Sequence, residues 1–126
     1  MNPALRAQQR YREEAILSAS PQRLLTMLYD RLVLDVERGE AAQLRHDWET
    51  ANTELQHAQQ IIAELSGSLS AEWEGSGDLR AVYGYLTRTL IAANIARDAV
   101  RTRECIDLLL PLRDAWHAAA DAMATV

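Results

Sequence analysis

Two histidines follow a carboxylate by one helical turn, Glu54 with His57 and Asp114 with His117, the i, i+3 spacing that carboxylate-bridged metal sites use on bundle helices. Such a site would hold a divalent cation between facing helices. On the apolar periodicity both histidines point mainly outward, and the segment Leu79 to Ala96 has no Asp or Glu to complete an inward ligand set. His57 alone has the placement of a phosphoacceptor on a helix, but neighbouring Gln59 and Gln60 offer no positive charge to hold a phosphoryl group. Cys105 is the only cysteine, which rules out an internal disulfide and a thiolate cluster, and its apolar neighbours predict a buried, reduced thiol. The chain has no nucleophile elbow, Walker loop, HEXXH or dinucleotide fingerprint, and GSG at Gly75 to Gly77 is an isolated loop signal. It reads as a binding protein and not an enzyme, with no cofactor and no metal.

The elements that would carry such groups are helices. Five Gly, three Pro and no Phe among 126 residues, with 48% hydrophobic and 25% charged content, favour a single all-α domain spanning 1–126. Met1 to Leu17 is charged throughout and lacks the apolar run of a signal peptide, and nothing approaches the roughly 20 apolar residues of a membrane span. A cytoplasmic protein without membrane insertion is expected. A net charge of −5 argues against nucleic acid as a partner, although every basic residue is Arg, which suits specific paired contacts.

The stretch SPQRLLTMLYDRLVLDVERG reads as a helix capped by Ser20, with Pro21 at its first position and Gly39 as its end. At about 100° per residue, Leu24, Leu25, Leu28, Tyr29, Leu32 and Val36 form one broad inward face, whereas Met27 and Leu34 fall on nearly the opposite side. Asp47 caps a second helix with Trp48, Ala51, Leu55, Ala58, Ile62 and Leu65 inward. The Gly- and Ser-rich stretch Ser66 to Asp78, which carries Trp73, is the longest loop. A third helix over Leu79 to Ala96 is apolar nearly all round. Its inward face has Leu79, Val82, Tyr83, Leu86, Leu90 and Ala93; Ile91 and Ile95 lie on the other. The fourth starts near Asp98 and presents Cys105, Leu109, Leu112, Trp116, Ala119 and Met123 inward, leaving Ile106 and Leu110 outside; Pro111 predicts a kink there without a break. Four such helices give an antiparallel up-and-down four-helix bundle with an additional N-terminal segment or short helix.

These helices carry more apolar surface than one core needs. The surplus predicts partner-binding anchors at Met27, Leu34, Ile91, Ile95, Ile106 and Leu110. Residues 1–19 form a mobile arm whose Tyr11 and Ile16 would cover an apolar groove until a ligand displaces them. Tyr29, Tyr83 and Trp116 are expected to be structural, with buried rings and polar tips near the surface. Asp30, Asn94 and Asp114 are expected to cap, pair or orient helices.

Taken in order, SPQRLLTMLYD, LRAVYGYLTRTLIAANIARD and LRDAW resemble the flagellin export chaperones, the FliS family, across nearly the whole chain. Arg31, Gly84 and Pro111 depart from the family pattern. The resemblance implies an antiparallel helical bundle that binds the disordered C-terminal region of flagellin in the cytoplasm, prevents premature polymerisation and delivers it to the export apparatus. It also implies that Tyr11 holds the aromatic N-terminal position that covers the groove. Export-gate or flagellar regulatory proteins would be further partners, and the chaperone itself a monomer or weak dimer. The alternative class is a helical interaction adaptor, or a homodimeric bundle whose extra stripes close on a second copy.

Overall fold

The computed structural model describes residues 2–18 and 20–124, with the side chains of 11–18 and 124 excepted. Among them are five helices and no strand: α1 Pro3–Ser18, α2 Pro21–Leu44, α3 Trp48–Gly67, α4 Ser76–Ala96 and α5 Ala99–Ala124. Helices α2 to α5 form the expected bundle, with α2 against α3 and α5, and α4 against the same two, closing a ring. Side-chain caps set the starts of α2, α3 and α5. Ser20 accepts from the Arg23 N–H at 3.2 Å and Asp47 from the Thr50 N–H at 3.2 Å. Asp98 accepts from the N–H groups of Val100 and Arg101 at 3.0 and 3.2 Å.

The two short connections at one end of the bundle both use left-handed backbone on residues other than glycine: His46 between α2 and α3, with φ 61°, and Arg97 between α4 and α5, with φ 55°. That conformation crowds a Cβ and costs roughly 1–2 kcal/mol per residue.

Helix α2 runs straight through Gly39, where the sequence predicts an end. The glycine is buried, and its missing side chain leaves space that Leu55 of α3 fills. A helix interior tolerates glycine at a cost of about 1 kcal/mol when a neighbour needs the room. Pro111 does not break α5, as expected; both Pro111 and Asp107, whose carbonyl the ring leaves without its helical donor, are exposed, so water can reach that carbonyl.

The core joins Tyr29, Leu32, Val33 and Val36 of α2 to Leu55, Ala58, Ile62 and Leu65 of α3, Leu79, Tyr83, Leu86 and Leu90 of α4, and Cys105, Ile106 and Leu109 of α5. Two polar links cross it. The Tyr29 and Tyr83 hydroxyls hydrogen-bond each other, and Gln43 spans α2, α4 and α5: its Nε2 donates to the Ala93 carbonyl at 3.1 Å and its Oε1 accepts from Thr102 at 2.6 Å. Their partners are fully supplied, which is the condition for burying such groups without loss.

Candidate partner-binding surface

The predicted anchors divide by helix face. Leu34 on α2 is 39% exposed, and on α4 Ile91 and Ile95 are 41% and 79% exposed. Met27 is half-buried, as is Leu110, which packs against the core. Ile106 is a correction: it is 1% exposed and belongs to the core. Helix α5 lies against both α2 and α4, so its inward face takes in Thr102, Cys105, Ile106 and Leu109 and is wider than a single stripe. Near the far end of the same helix Ala119 and Met123, placed inward by periodicity, are exposed. Leu24, also placed inward, is 38% exposed at the start of α2. Tyr11 and Ile16 fall in α1 by position, and their side chains lie outside the described residues; residues 3–10 of that helix are exposed.

Sequence periodicity missed Leu44, Val100 and Leu108, all exposed. Leu44 and Val100 border the two short turns, so their position next to caps, not any stripe, was the available signal. With Ile95 they gather at the end of the bundle where both turns lie. A cavity of about 280 Å³ opens there, lined by Gln43, Trp48, Ala51, Asn52, Asn94, Ile95 and Arg97. At the opposite end, a second hollow of about 340 Å³ lies between the start of α2 at Ser20 and Arg23 and the end of α5 at Ala120 and Met123.

Several titratable groups are engaged in structure. His57 does not head a metal site: its Nδ1 meets the fully buried carboxylate of Asp35, which also accepts from Arg31 Nε at 2.9 Å. His117 Nε2 and Asp30 pair at 2.7 Å, joining α5 to α2. The Arg103 guanidinium holds Glu40 through two bonds of 2.7 and 2.6 Å. Asn94 pairs with Asn52 and so joins α4 to α3, whereas exposed Asp114 pairs with the adjacent Arg113 on its own helix. Burial pushes the Tyr29 and Tyr83 phenols above their usual range and the Cys105 thiol up to about 12, so no activated nucleophile results. Among the described residues, no group of three His, Cys, Asp or Glu side chains could hold a metal ion. The tips of Tyr29 and Tyr83 are a second correction: they pair inside the core and do not reach the surface.

A helical bundle whose histidines and cysteine are taken up in structural contacts and whose surplus apolar residues include exposed ones belongs to the class of partner-binding bundles. The sequence pattern of the family described as Flagellar protein FliS matches residues 4–123, and the chain belongs to that family of flagellar secretion chaperones. It is 33% identical over 109 residues to the Flagellar secretion chaperone FliS of Bacillus subtilis (strain 168), an alignment covering 86% of this chain and 82% of that one. The protein of the same name from Escherichia coli (strain K12) is 33% identical over 107 residues, covering 82% and 79%. A solved structure described as a flagellar chaperone from bacteria superposes with a TM-score of 0.74 at 18% identity, covering 95% of this chain and 99% of that one, and so shares the fold. Chaperones of this kind are not an enzyme class. No helix among the described residues is long and apolar enough to cross a membrane.

Proposed function

We propose that this chain holds the disordered C-terminal segment of flagellin in the cytoplasm, keeps it from premature polymerisation and brings it to the flagellar export apparatus. The observation that carries the reading is surplus apolar surface on more than one helix, at Leu34 on α2 and Ile91 and Ile95 on α4, in a member of a flagellar secretion chaperone family. A disordered client that folds on binding loses several kcal/mol to ordering and offsets it by burying about 1,000–3,000 Å², so separated apolar faces suit it better than one deep pocket. In this reading residues 1–126 act as one chaperone domain, Met27 and Leu110 sit at the edge of the client surface, and Tyr11 and Ile16 on the arm 1–19 cover it until the client arrives. Export-gate or regulatory proteins would meet the loaded complex.

Co-purification with a flagellin C-terminal peptide is the direct test. Capture by a monomer supports the chaperone; a tight dimer that takes up no peptide would favour a bundle closing on a second copy, with Leu34 and Ile91 in its interface.

A further inference from the structure

The turn end of the bundle has the composition of a small peptide site. The two left-handed residues among the described ones, His46 and Arg97, place their side chains on the same ring: the His46 imidazole stacks on Trp48 with centroids 5.1 Å apart and planes at 16°, and the Arg97 guanidinium sits 4.7 Å from the centroid of the indole. Glycine would occupy either turn without strain, so both connections hold an unfavoured backbone and a side chain that braces one indole. Trp48 is thereby fixed as a rigid shelf beside the 280 Å³ cavity.

The polar groups around that shelf are incompletely used. Arg97 is the one charged residue lining the cavity, and among the described residues it makes no ion pair. Asn94 Nδ2 donates to Asn52 Oδ1 at 2.8 Å. Whichever way the two amides are turned, one carbonyl oxygen and one amino group stay open, and these match the N–H and C=O of a passing peptide. Ile95, 79% exposed at the rim, supplies an apolar wall.

We propose that this end of the bundle is a binding site for an acidic peptide segment of the partner, one that lays an aliphatic side chain between Trp48 and Ile95, pairs its backbone with Asn52 and Asn94, and gives a neighbouring carboxylate to Arg97. The choice of ligand follows from charge: in a chain of net −5, a cavity with a single unpaired guanidinium selects a carboxylate locally. Stacked on an indole, that cation keeps its planar fork free to take both carboxylate oxygens. The inference deepens the proposed function, since it rests on Ile95 belonging to the client surface.

The test is a titration of the labelled, full-length protein with acetyl-leucyl-aspartyl methylamide and with its asparaginyl counterpart, followed by NMR at the Asn52 and Asn94 side-chain amides and the Trp48 indole N–H. The aspartyl peptide is expected to move these signals and to bind about fivefold more tightly than the asparaginyl one, as a partly exposed ion pair allows. Arg97→Gly relaxes the backbone, so it should keep or raise the unfolding midpoint while making the two peptides bind equally. Equal binding of both peptides to the unsubstituted protein, or no movement up to about 10 mM peptide, overturns the site. So does a shift of the same signals on dilution without peptide that Ile95→Ser abolishes, because the occupant is then a second copy. Flagellin capture that persists alongside a failed titration overturns the peptide site alone and leaves the chaperone reading standing.

Discussion

Gly39 of α2 and Leu55 of α3 occupy adjoining space: a Cβ built at position 39 would lie 2.6 Å from Leu55 Cδ2 and 2.9 Å from its Cγ. Both residues are buried, so the leucine has no solvent to move into. Gly39→Ala therefore gains about 1 kcal/mol of helix propensity but meets an overpacking cost of about 1–3 kcal/mol, and a net loss of stability is expected. Urea unfolding checks it. Pairing Gly39→Ala with Leu55→Val should show a coupling of opposite sign to the loss from Gly39→Ala, as the smaller side chain makes room for the new methyl.

Ile106 and Leu34 separate fold from binding. Ile106→Asp puts a charge into the core and should leave little folded protein. Leu34→Asp, at a half-exposed site, should shift the unfolding midpoint by less than about 0.5 kcal/mol equivalent, yet weaken capture of the flagellin C-terminal segment. Unchanged capture by Leu34→Asp would remove that residue from the client surface.

Asp35, with no exposure, depends on two partners that differ in worth. Arg31 precedes it by one turn on α2 and is half exposed, so Arg31→Ala should cost under about 1 kcal/mol. His57 reaches it from α3 and supplies the link between helices; His57→Ala should cost more, about 1–3 kcal/mol, because a buried carboxylate oxygen then lacks its partner. Thermal unfolding of the two variants at neutral pH gives the ranking directly.

Alkaline pH should destabilise the protein in two stages. Burial holds the Cys105 thiol at about 12 in the folded chain against an ordinary value of 9.0, so above pH 9 the unfolded chain releases a proton that the folded one keeps. Stability is fully present below that point and falls by about 1.4 kcal/mol per pH unit while only one state is ionised. Tyr29 and Tyr83, both raised from 10.0 by burial, steepen the loss above pH 10. Cys105→Ala should flatten the first stage, and Tyr83→Phe should reduce the slope above pH 10; urea midpoints from pH 7 to 11 distinguish them.

Much of the fold was legible because its signals are local. Ser20, Asp47 and Asp98 cap within three residues of themselves, and the apolar period of α3 and α4 predicted Ala51, Leu55, Ile62, Leu79, Leu86 and Leu90 as core. The family resemblance was legible for the same reason, since it rests on ordered short segments. Gly39 misled because a glycine that ends a helix and one that admits a neighbour look alike in sequence. Ile106 misled because the width of a buried face depends on how many helices surround it.

The sequence by itself determined the helices, their caps, the antiparallel order and the surplus of apolar residues, all consequences of backbone preference and a 3.6-residue period. Only the tertiary structure decided which surplus residues stay outside. Packing α5 between α2 and α4 buries Ile106 and leaves Ile91 and Ile95 exposed, and bringing two distant turns together sets Arg97 as well as His46 against the Trp48 ring. The Trp48–Arg97 contact joins residues about 50 positions apart along the chain, and a periodicity confined to a few helical turns carries no record of such relations.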